Sequence, residues 1–137
     1  MFGTRRIDYK VSTLDTKGGL FISEIIDDLK GGPARHLHHE QEEWFYVVKG
    51  EYIIESGDER YRLGPGDSVL APRKVPHVLA HVGEGTGKLI AAVQPAGKLE
   101  AFFDELAKLK GSPSREVLLK LFRAQGMDLA GPPLAVE

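Results

Sequence analysis

The sequence predicts an all-β domain, an antiparallel sandwich or barrel, followed by two α-helices. Short apolar runs separated by glycine- and proline-rich turns fill residues 5–93 without a helical pattern between them. From Leu99 onward the apolar period changes to that of an amphipathic helix. With 137 residues, the chain has room for one core and is short for two. We therefore expect a barrel over residues 1–95 and, over residues 96–137, a helical extension that packs on the barrel or on a partner subunit.

The predicted strands follow from alternation and from the turns between them. Ile7, Tyr9 and Val11 alternate with polar residues, as in a half-buried strand. Lys49-Gly50 predicts a tight hairpin between the strands on either side of it. The full set of predicted strands covers residues 5–13, 20–26, 36–43, 44–48, 52–55, 60–63, 68–71, 77–82 and 88–93.

Two helices are predicted after the barrel. The first carries an apolar stripe and stops at Gly111. The second begins at Ser112-Pro113, a side-chain cap followed by proline in the first turn, and ends near Gly126. The two apolar stripes consist of Leu99, Phe102, Phe103, Leu106 and Leu109, and of Val117, Leu118, Leu121 and Phe122. Residues 131–134 are predicted to be an extended tail.

Composition excludes several kinds of chemistry. The chain has no cysteine, so disulfides, thiolate metal sites and cysteine nucleophiles are excluded. A net charge of −2 gives no support for nucleic-acid binding. The N-terminus lacks the apolar segment of a secretory signal, and no stretch approaches the roughly 20 apolar residues of a membrane span. We therefore expect a cytoplasmic protein without nucleic-acid or membrane partners.

The histidines form two groups that suggest a metal centre. His36, His38 and His39 lie just before a pair of carboxylates, and His77 and His81 lie about forty residues further along the chain. Pro33 and the two glycines before it, with an aromatic run after the histidines, favour strand over helix here. On a strand, His36 and His38 share a face and His39 points away. Alternation alone does not choose between Glu42 and Glu43 as the carboxylate ligand, because both phases of the following strand are apolar.

The spacing of these residues resembles the two motifs of the cupin superfamily. His36-Leu37-His38, then four residues, Glu43, six residues and Gly50 match the first motif, and the six-residue gap selects Glu43 over Glu42. Gly66, Pro72 and His77 match the second motif. The chain departs from it at two positions, because Lys74 stands where the family has glycine and His81 where it has asparagine.

The resemblance implies a jelly-roll barrel with a metal site of three histidines and one glutamate: His36, His38, Glu43 and His77. Imidazole and carboxylate ligands suit one divalent ion of iron, manganese, nickel, copper or zinc. Glu42 is expected to be solvated or to orient a ligand histidine. His81 is expected to be packed or exposed, with a contact to substrate or to a ligand as the alternative, and Lys74 to be a solvated turn residue.

The C-terminal helices and the tail also resemble single-domain, quercetin-dioxygenase-like cupins. The leading hypothesis is a mononuclear metalloenzyme, a dioxygenase of this kind, acting on a small organic molecule inside the barrel, with Glu43 as ligand and catalytic base. The alternatives are a non-enzymatic module that binds or senses a metal or small ligand, and a metal-dependent isomerase or lyase. Exposed sheet edges favour a homodimer.

Overall fold

A computed structural model describes residues 5–109 and 114–136 of the chain. The strands are β1 (Arg5–Val11), β2 (Phe21–Asp27), β3 (His36–His38), β4 (Glu42–Lys49), β5 (Tyr52–Ser56), β6 (Glu59–Leu63), β7 (Ser68–Ala71), β8 (His77–His81), β9 (Gly87–Gln94) and β10 (Met127–Leu129). The helices are α1 (Leu99–Lys108) and α2 (Arg115–Ala124), and a short 3₁₀ helix covers Thr13–Thr16.

The strands form two facing antiparallel sheets. The first has the order β1-β2-β9-β4-β7 and the second the order β10-β3-β8-β5-β6. From β2 onward the chain passes from one sheet to the other at every connection between successive strands except the one between β5 and β6, which is the winding of a jelly roll. The predicted all-β jelly roll with two C-terminal helices is confirmed.

The predicted hairpin at Lys49-Gly50 is wrong. β4 pairs with β7 and β9, whereas β5 pairs with β6 and β8, so this turn carries the chain between sheets. The reason lies in the core, where Phe45 and Val47 of β4 belong to the same buried cluster as Tyr52 and Ile54 of β5. Strands in opposite sheets can present these side chains to one another across the barrel interior, which a flat hairpin cannot do.

A second apolar cluster joins the helices to one end of the barrel. Phe21 of β2 and Val93 of β9 pack with Leu99, Phe102 and Leu106 of α1, Phe122 of α2 and Met127 of β10. The predicted stripe of α1 is thereby confirmed except at its last member, Leu109, which is exposed. On α2, Val117 is also exposed, so the buried face of that helix is narrower than predicted.

The start of α2 differs from the prediction. The Ser114 side chain accepts a hydrogen bond from the Val117 backbone N–H at 3.2 Å, so Ser114 caps the helix. The predicted cap at Ser112-Pro113 and the predicted stop at Gly111 lie outside the described residues.

Strand β10 was not predicted. Met127 pairs with His38 and Leu129 with His36, so the chain after α2 adds an outer strand to β3. Three residues are too few for an alternating pattern to be recognised. None of the described helices has the length and apolar content required to cross a membrane.

Candidate metal centre

Three strands bring the predicted ligands together. β3 carries His36 and His38 on one face, β8 begins at His77 directly opposite His36, and β4 carries Glu43 on its inward phase with Phe45 and Val47. One ligand atom from each of His36, His38, Glu43 and His77 can be chosen such that all four lie within 4.8 Å of one another. The structure therefore assembles the four-residue set that the motifs predict, from both sheets of the barrel.

The cluster is buried and closely packed. His38 and His77 are each 2% exposed and Glu43 is 7% exposed. The rings of His38 and His77 are parallel within 6° with centroids 5.5 Å apart, and the His36 centroid lies 4.6 Å from that of His77. On the outer side of His36, Phe122 of α2 packs edge-on at 5.4 Å. The C-terminal extension thus contributes directly to the wall around the ligands.

Hydrogen bonds fix which nitrogen of two histidines faces the cluster. His36 Nδ1 lies 2.9 Å from the Ala34 carbonyl oxygen, and His38 Nδ1 lies 3.0 Å from Gln41 Oε1. Each Nδ1–H therefore donates outward, and each Nε2 lone pair is left for an ion, which is the usual arrangement of ligand histidines.

Several ring nitrogens in the cluster lack a hydrogen-bond partner among the described residues. They are His38 Nε2, His77 Nδ1 and His77 Nε2. The two Nε2 atoms lie 3.3 and 3.4 Å from Glu43 Oε1, but not in hydrogen-bonding geometry. Buried polar atoms without partners cost free energy, so this arrangement calls for a further occupant.

The protonation tendencies of the cluster follow from burial and from Glu43. Burial, with the neighbouring His77 and His38, lowers the pKa of His36 to about 3, so this imidazole is neutral at pH 7 and able to ligate. Burial also lowers the pKa of His38, but contact with Glu43 outweighs it and the pKa is raised. Burial works to raise the pKa of Glu43, and contact with His38 and His77 outweighs it, leaving the pKa low and the carboxylate ionised.

The residue set fits a divalent transition metal. Ligands bound at about 2.1 Å on one ion are at most about 4.2 Å apart, so side-chain adjustments of a few tenths of an ångström would close this cluster around an ion. Three imidazoles and a carboxylate suit iron, manganese, nickel, copper or zinc. On a six-coordinate ion they leave two positions for other molecules, whereas on tetrahedral zinc they fill every position.

The cluster opens onto a cavity of about 440 Å³, within the range of small-molecule sites. His36, His38, Glu43 and His77 all line it. Most of the remaining wall is apolar and comes from both the barrel and the extension, including Ile7, Ile25, Phe45, Leu79, Leu99, Phe102, Leu106, Phe122 and Met127. A small organic molecule could therefore sit against an ion held by the cluster.

The other residues singled out in the first motif lie away from the cavity. His39 is half exposed and contacts Asp128 at 2.7 Å, as expected for a side chain on the opposite face of the strand. Glu42 forms an ion pair with Arg73 and has no hydrogen bond to a ligand histidine. The predicted orienting role of Glu42 is thus taken by its neighbour Gln41.

Gln41 is the site residue that sequence reasoning missed. Its Oε1 accepts from His38, while its Nε2 donates to the carbonyl oxygens of Pro95 and Ala96 at 2.9 and 2.7 Å. A single buried amide thereby ties a ligand to the segment where β9 leads into α1. Nothing in the spacing of His38 and Gln41 marks this contact, because it depends on a connection more than fifty residues away.

The two departures from the second motif have separate structural explanations. His81 is fully buried and points inward, but it packs on Tyr52 with ring centroids 5.3 Å apart and does not line the cavity. His81 therefore has the packed role, and the alternative of a contact with substrate has no support in the cavity wall. Lys74, at the glycine position, has φ of 68°, which glycine adopts freely and lysine does not. Its N–H donates to the His38 carbonyl oxygen at 2.7 Å, joining the turn to β3.

These features define a class before any relative is considered: a small jelly-roll barrel with a buried three-histidine, one-glutamate cluster. The cupin domain family matches residues 27–93. A structure of KdgF from a Halomonas species is 25% identical, with a TM-score of 0.59, covering 67% of this chain and 79% of that one. An RmlC-like cupin from Shewanella frigidimarina is 25% identical, with a TM-score of 0.55, covering 69% and 78%.

A curated relative, an uncharacterized protein of Methanocaldococcus jannaschii, is 27% identical over 74 residues. The match covers 54% of this chain and 59% of that protein, so the chain spans about three-fifths of the relative's length. The chain belongs to the cupin superfamily, and its described part contains a cluster that could hold a metal ion.

Proposed function

We propose that this protein binds one divalent transition metal ion through His36, His38, Glu43 and His77 and acts on a small organic molecule in the adjoining cavity. One observation carries the proposal. Buried imidazole nitrogens without partners and an ionised carboxylate converge on the wall of an otherwise apolar cavity. Satisfying those nitrogens and placing a substrate beside them is what a bound ion in this position would accomplish.

We further propose that the reaction is an oxygenation of the quercetinase-like kind. A bound metal would supply a Lewis-acid or redox centre for a substrate oxygen. Glu43, buried and ionised, is positioned as the acceptor for the proton of a substrate hydroxyl. The phenyl rings of Phe122 and Phe45 pack against His36 and His77 and give this side of the cavity an apolar wall.

A second candidate is a cupin that holds its metal without catalysis. The observation favouring it is the number of ligands, since four protein ligands complete a tetrahedral zinc ion and leave no position for substrate. A metal-dependent isomerase or lyase would use the same four ligands with an open position and no oxygen. Metal identity therefore separates the first two functions, and oxygen consumption separates the enzymatic ones.

The metal is tested by elemental analysis of protein purified without chelators and without a nickel column. The proposal expects iron, manganese, nickel or copper at about one per chain, and stoichiometric zinc with tetrahedral coordination would contradict the oxygenase. Oxygen uptake with flavonols, catechols and diketones then tests the reaction. Turnover of a panel compound without oxygen uptake would favour the isomerase or lyase.

The ligand assignment is tested with two neighbouring histidines. His38→Ala removes a buried ligand and should abolish metal binding, measured by calorimetric titration of chelator-treated protein with nickel. His39→Ala, on the outer face beside Asp128, is the matched control and should retain the wild-type affinity. The reverse result would reject the ligand set.

A further inference from the structure

A second buried polar cluster lies on the inner wall of the barrel, away from the four candidate metal ligands and next to His81, which packs on Tyr52. Asp27, at the end of β2, is 2% exposed. Arg5 of β1 donates to both of its carboxylate oxygens, from Nε at 2.7 Å and from Nη2 at 3.4 Å. The hydroxyl of Tyr52, a fully buried residue of β5, donates to Asp27 Oδ2 at 2.7 Å. The carboxylate is thus held from both sheets.

This arrangement holds the guanidinium of Arg5 and leaves most of its N–H donors free. Of the five N–H donors of an arginine, Asp27 takes two. No other described residue accepts a hydrogen bond from the remaining three. The Arg5 side chain is 12% exposed and lines the same cavity as the candidate metal ligands. A rigidly held fork of donors therefore borders an apolar cavity.

The two clusters occupy opposite ends of the cavity. Asp27 pairs with Gly87 on β9, whereas Glu43 pairs with Val93 on the same strand, six residues further along. At about 3.4 Å per residue, these rows are about 20 Å apart along the strand. Ile7, Ile25 and Leu79 line the cavity wall between them. A ligand that reaches both ends is elongated and apolar in its middle.

The Arg5 end of the cavity carries two cations, Arg5 and Lys30, and each has one carboxylate partner. Asp27 lines the cavity beside Arg5, whereas Glu84, the partner of Lys30 at 3.0 Å, is 94% exposed and does not line it. The N–H donors available to a ligand there are those that Asp27 leaves free on Arg5, and a planar guanidinium can hold a carboxylate in a two-point contact.

We propose that Arg5 is the anion-binding residue of this cavity and that the cognate ligand is an organic acid with an apolar body. Its carboxylate contacts the free N–H donors of Arg5, and its hydrocarbon portion lies along Ile7 and Ile25. At its other end the ligand carries the oxygen donor for the metal, and this part of the proposal rests on the proposed function. The anion site itself does not, since Arg5, Asp27 and Tyr52 hold one another through their own hydrogen bonds.

The test uses octanoate and 1-octanol, which share a chain and differ in charge, titrated calorimetrically into chelator-treated protein at pH 8. Wild-type protein should bind octanoate at least about tenfold more tightly than 1-octanol, as expected for a charge-assisted contact. Arg5→Gln should remove this preference and leave 1-octanol affinity unchanged. Arg6→Gln is the matched control, because Arg6 is exposed and pairs with Asp8 on the outer face, and it should retain the preference.

Arg5→Gln also leaves Asp27 without its cation, so a second variant guards against a folding defect. Arg5→Gln/Asp27→Asn removes both charges and keeps an acceptor for the Tyr52 hydroxyl, and it should likewise bind the two probes equally. Equal affinities in the wild type, no octanoate binding, or a preference that survives in both Arg5 variants would overturn the proposal. Because no metal is present, these results are independent of whether the histidine cluster binds an ion.

Discussion

The barrel encloses two buried polar clusters that are completed in opposite ways. Around Asp27, the carboxylate oxygens are satisfied by Arg5 and Tyr52 within the protein. Around Glu43, imidazole nitrogens remain without partners among the described residues. The first cluster therefore satisfies its carboxylate within the protein, whereas the second leaves polar atoms that a bound ion could satisfy. The presence of buried polar groups alone thus says little about function. Whether those groups have hydrogen-bond partners within the protein says much more.

The largest loss of folding stability should come from removing Asp27, the carboxylate held by Arg5 and Tyr52. Asp27→Ala leaves the Arg5 cation and the Tyr52 hydroxyl without their partner in a buried position. Removing one member of a buried pair costs about 3–5 kcal/mol, so urea unfolding of chelator-treated protein should show a loss of that size. Asp8→Ala removes the exposed partner of Arg6 and should change stability by less than about 1 kcal/mol. Equal losses would show that the Asp27 cluster is not the stabilising one.

The next largest effect is on metal affinity and tests the contact between Gln41 and the candidate ligand His38. Gln41→Leu removes the acceptor that orients His38 and keeps the side-chain volume. Loss of such a contact typically lowers metal affinity about 10–100-fold, which a calorimetric titration with nickel would detect. Gln41→Glu retains an acceptor for His38 but places an oxygen against the carbonyls of Pro95 and Ala96, so it should recover only part of the affinity and lower stability. An unchanged affinity in Gln41→Leu would mean that packing alone orients the ring.

A smaller effect is the loss of folding stability at acidic pH. The pKa of His36 is lowered to about 3 from an ordinary value of 6.5, so between those values the unfolded chain binds a proton that the folded protein does not. Stability of the metal-free protein should therefore fall as pH decreases from about 6.5 toward 3. For His36 the loss by pH 5 is about 1–2 kcal/mol. Urea unfolding at pH 7.5 and pH 5 should show a smaller loss in His36→Leu than in the wild type, and parallel losses would contradict the shift.

The smallest predicted effect is stabilising and concerns Lys74, in the turn between β7 and β8. Lys74 has φ of 68°, a left-handed conformation that costs a residue with a side chain about 1–2 kcal/mol. Lys74→Gly relieves this strain but gains freedom when unfolded, for a net stabilisation of about 0.5–1 kcal/mol in thermal unfolding. Gly66→Ala, at φ of 91°, is the reciprocal control and should destabilise. A destabilised Lys74→Gly would indicate that the lysine side chain itself contributes to the turn.

Much of this molecule could be predicted from local pattern. Alternation located most of the strands, the change of apolar period located α1, and motif spacing placed His36, His38, Glu43 and His77 on facing strands. These features depend on neighbours within a few residues or on a register that recurs in the family. The ligand roles themselves stay predictions, since the structure shows only that the four side chains meet.

What could not be predicted depends on pairing at long range. The turn at Lys49-Gly50 indicates where the chain reverses but not which sheet receives it. The cluster of Arg5, Asp27 and Tyr52 brings together three segments that are distant in sequence, and strand register determines which residues meet. No short sequence motif predicts this contact. Gln41 was missed for the same reason, because its role is set by contacts with the carbonyls of Pro95 and Ala96.

Strand β10 has a consequence for the order in which the protein can be assembled. His36 and His38 lie on β3, and β3 has β10 as its neighbour on one side and β8 on the other. During synthesis from the N-terminus, all four candidate ligands leave the ribosome well before residues 127–129 do. Until then one edge of the strand bearing two of those ligands stays open to solvent. The candidate metal centre, whose four ligands lie within residues 36–77, therefore acquires its last wall only after residues 127–129 have been made.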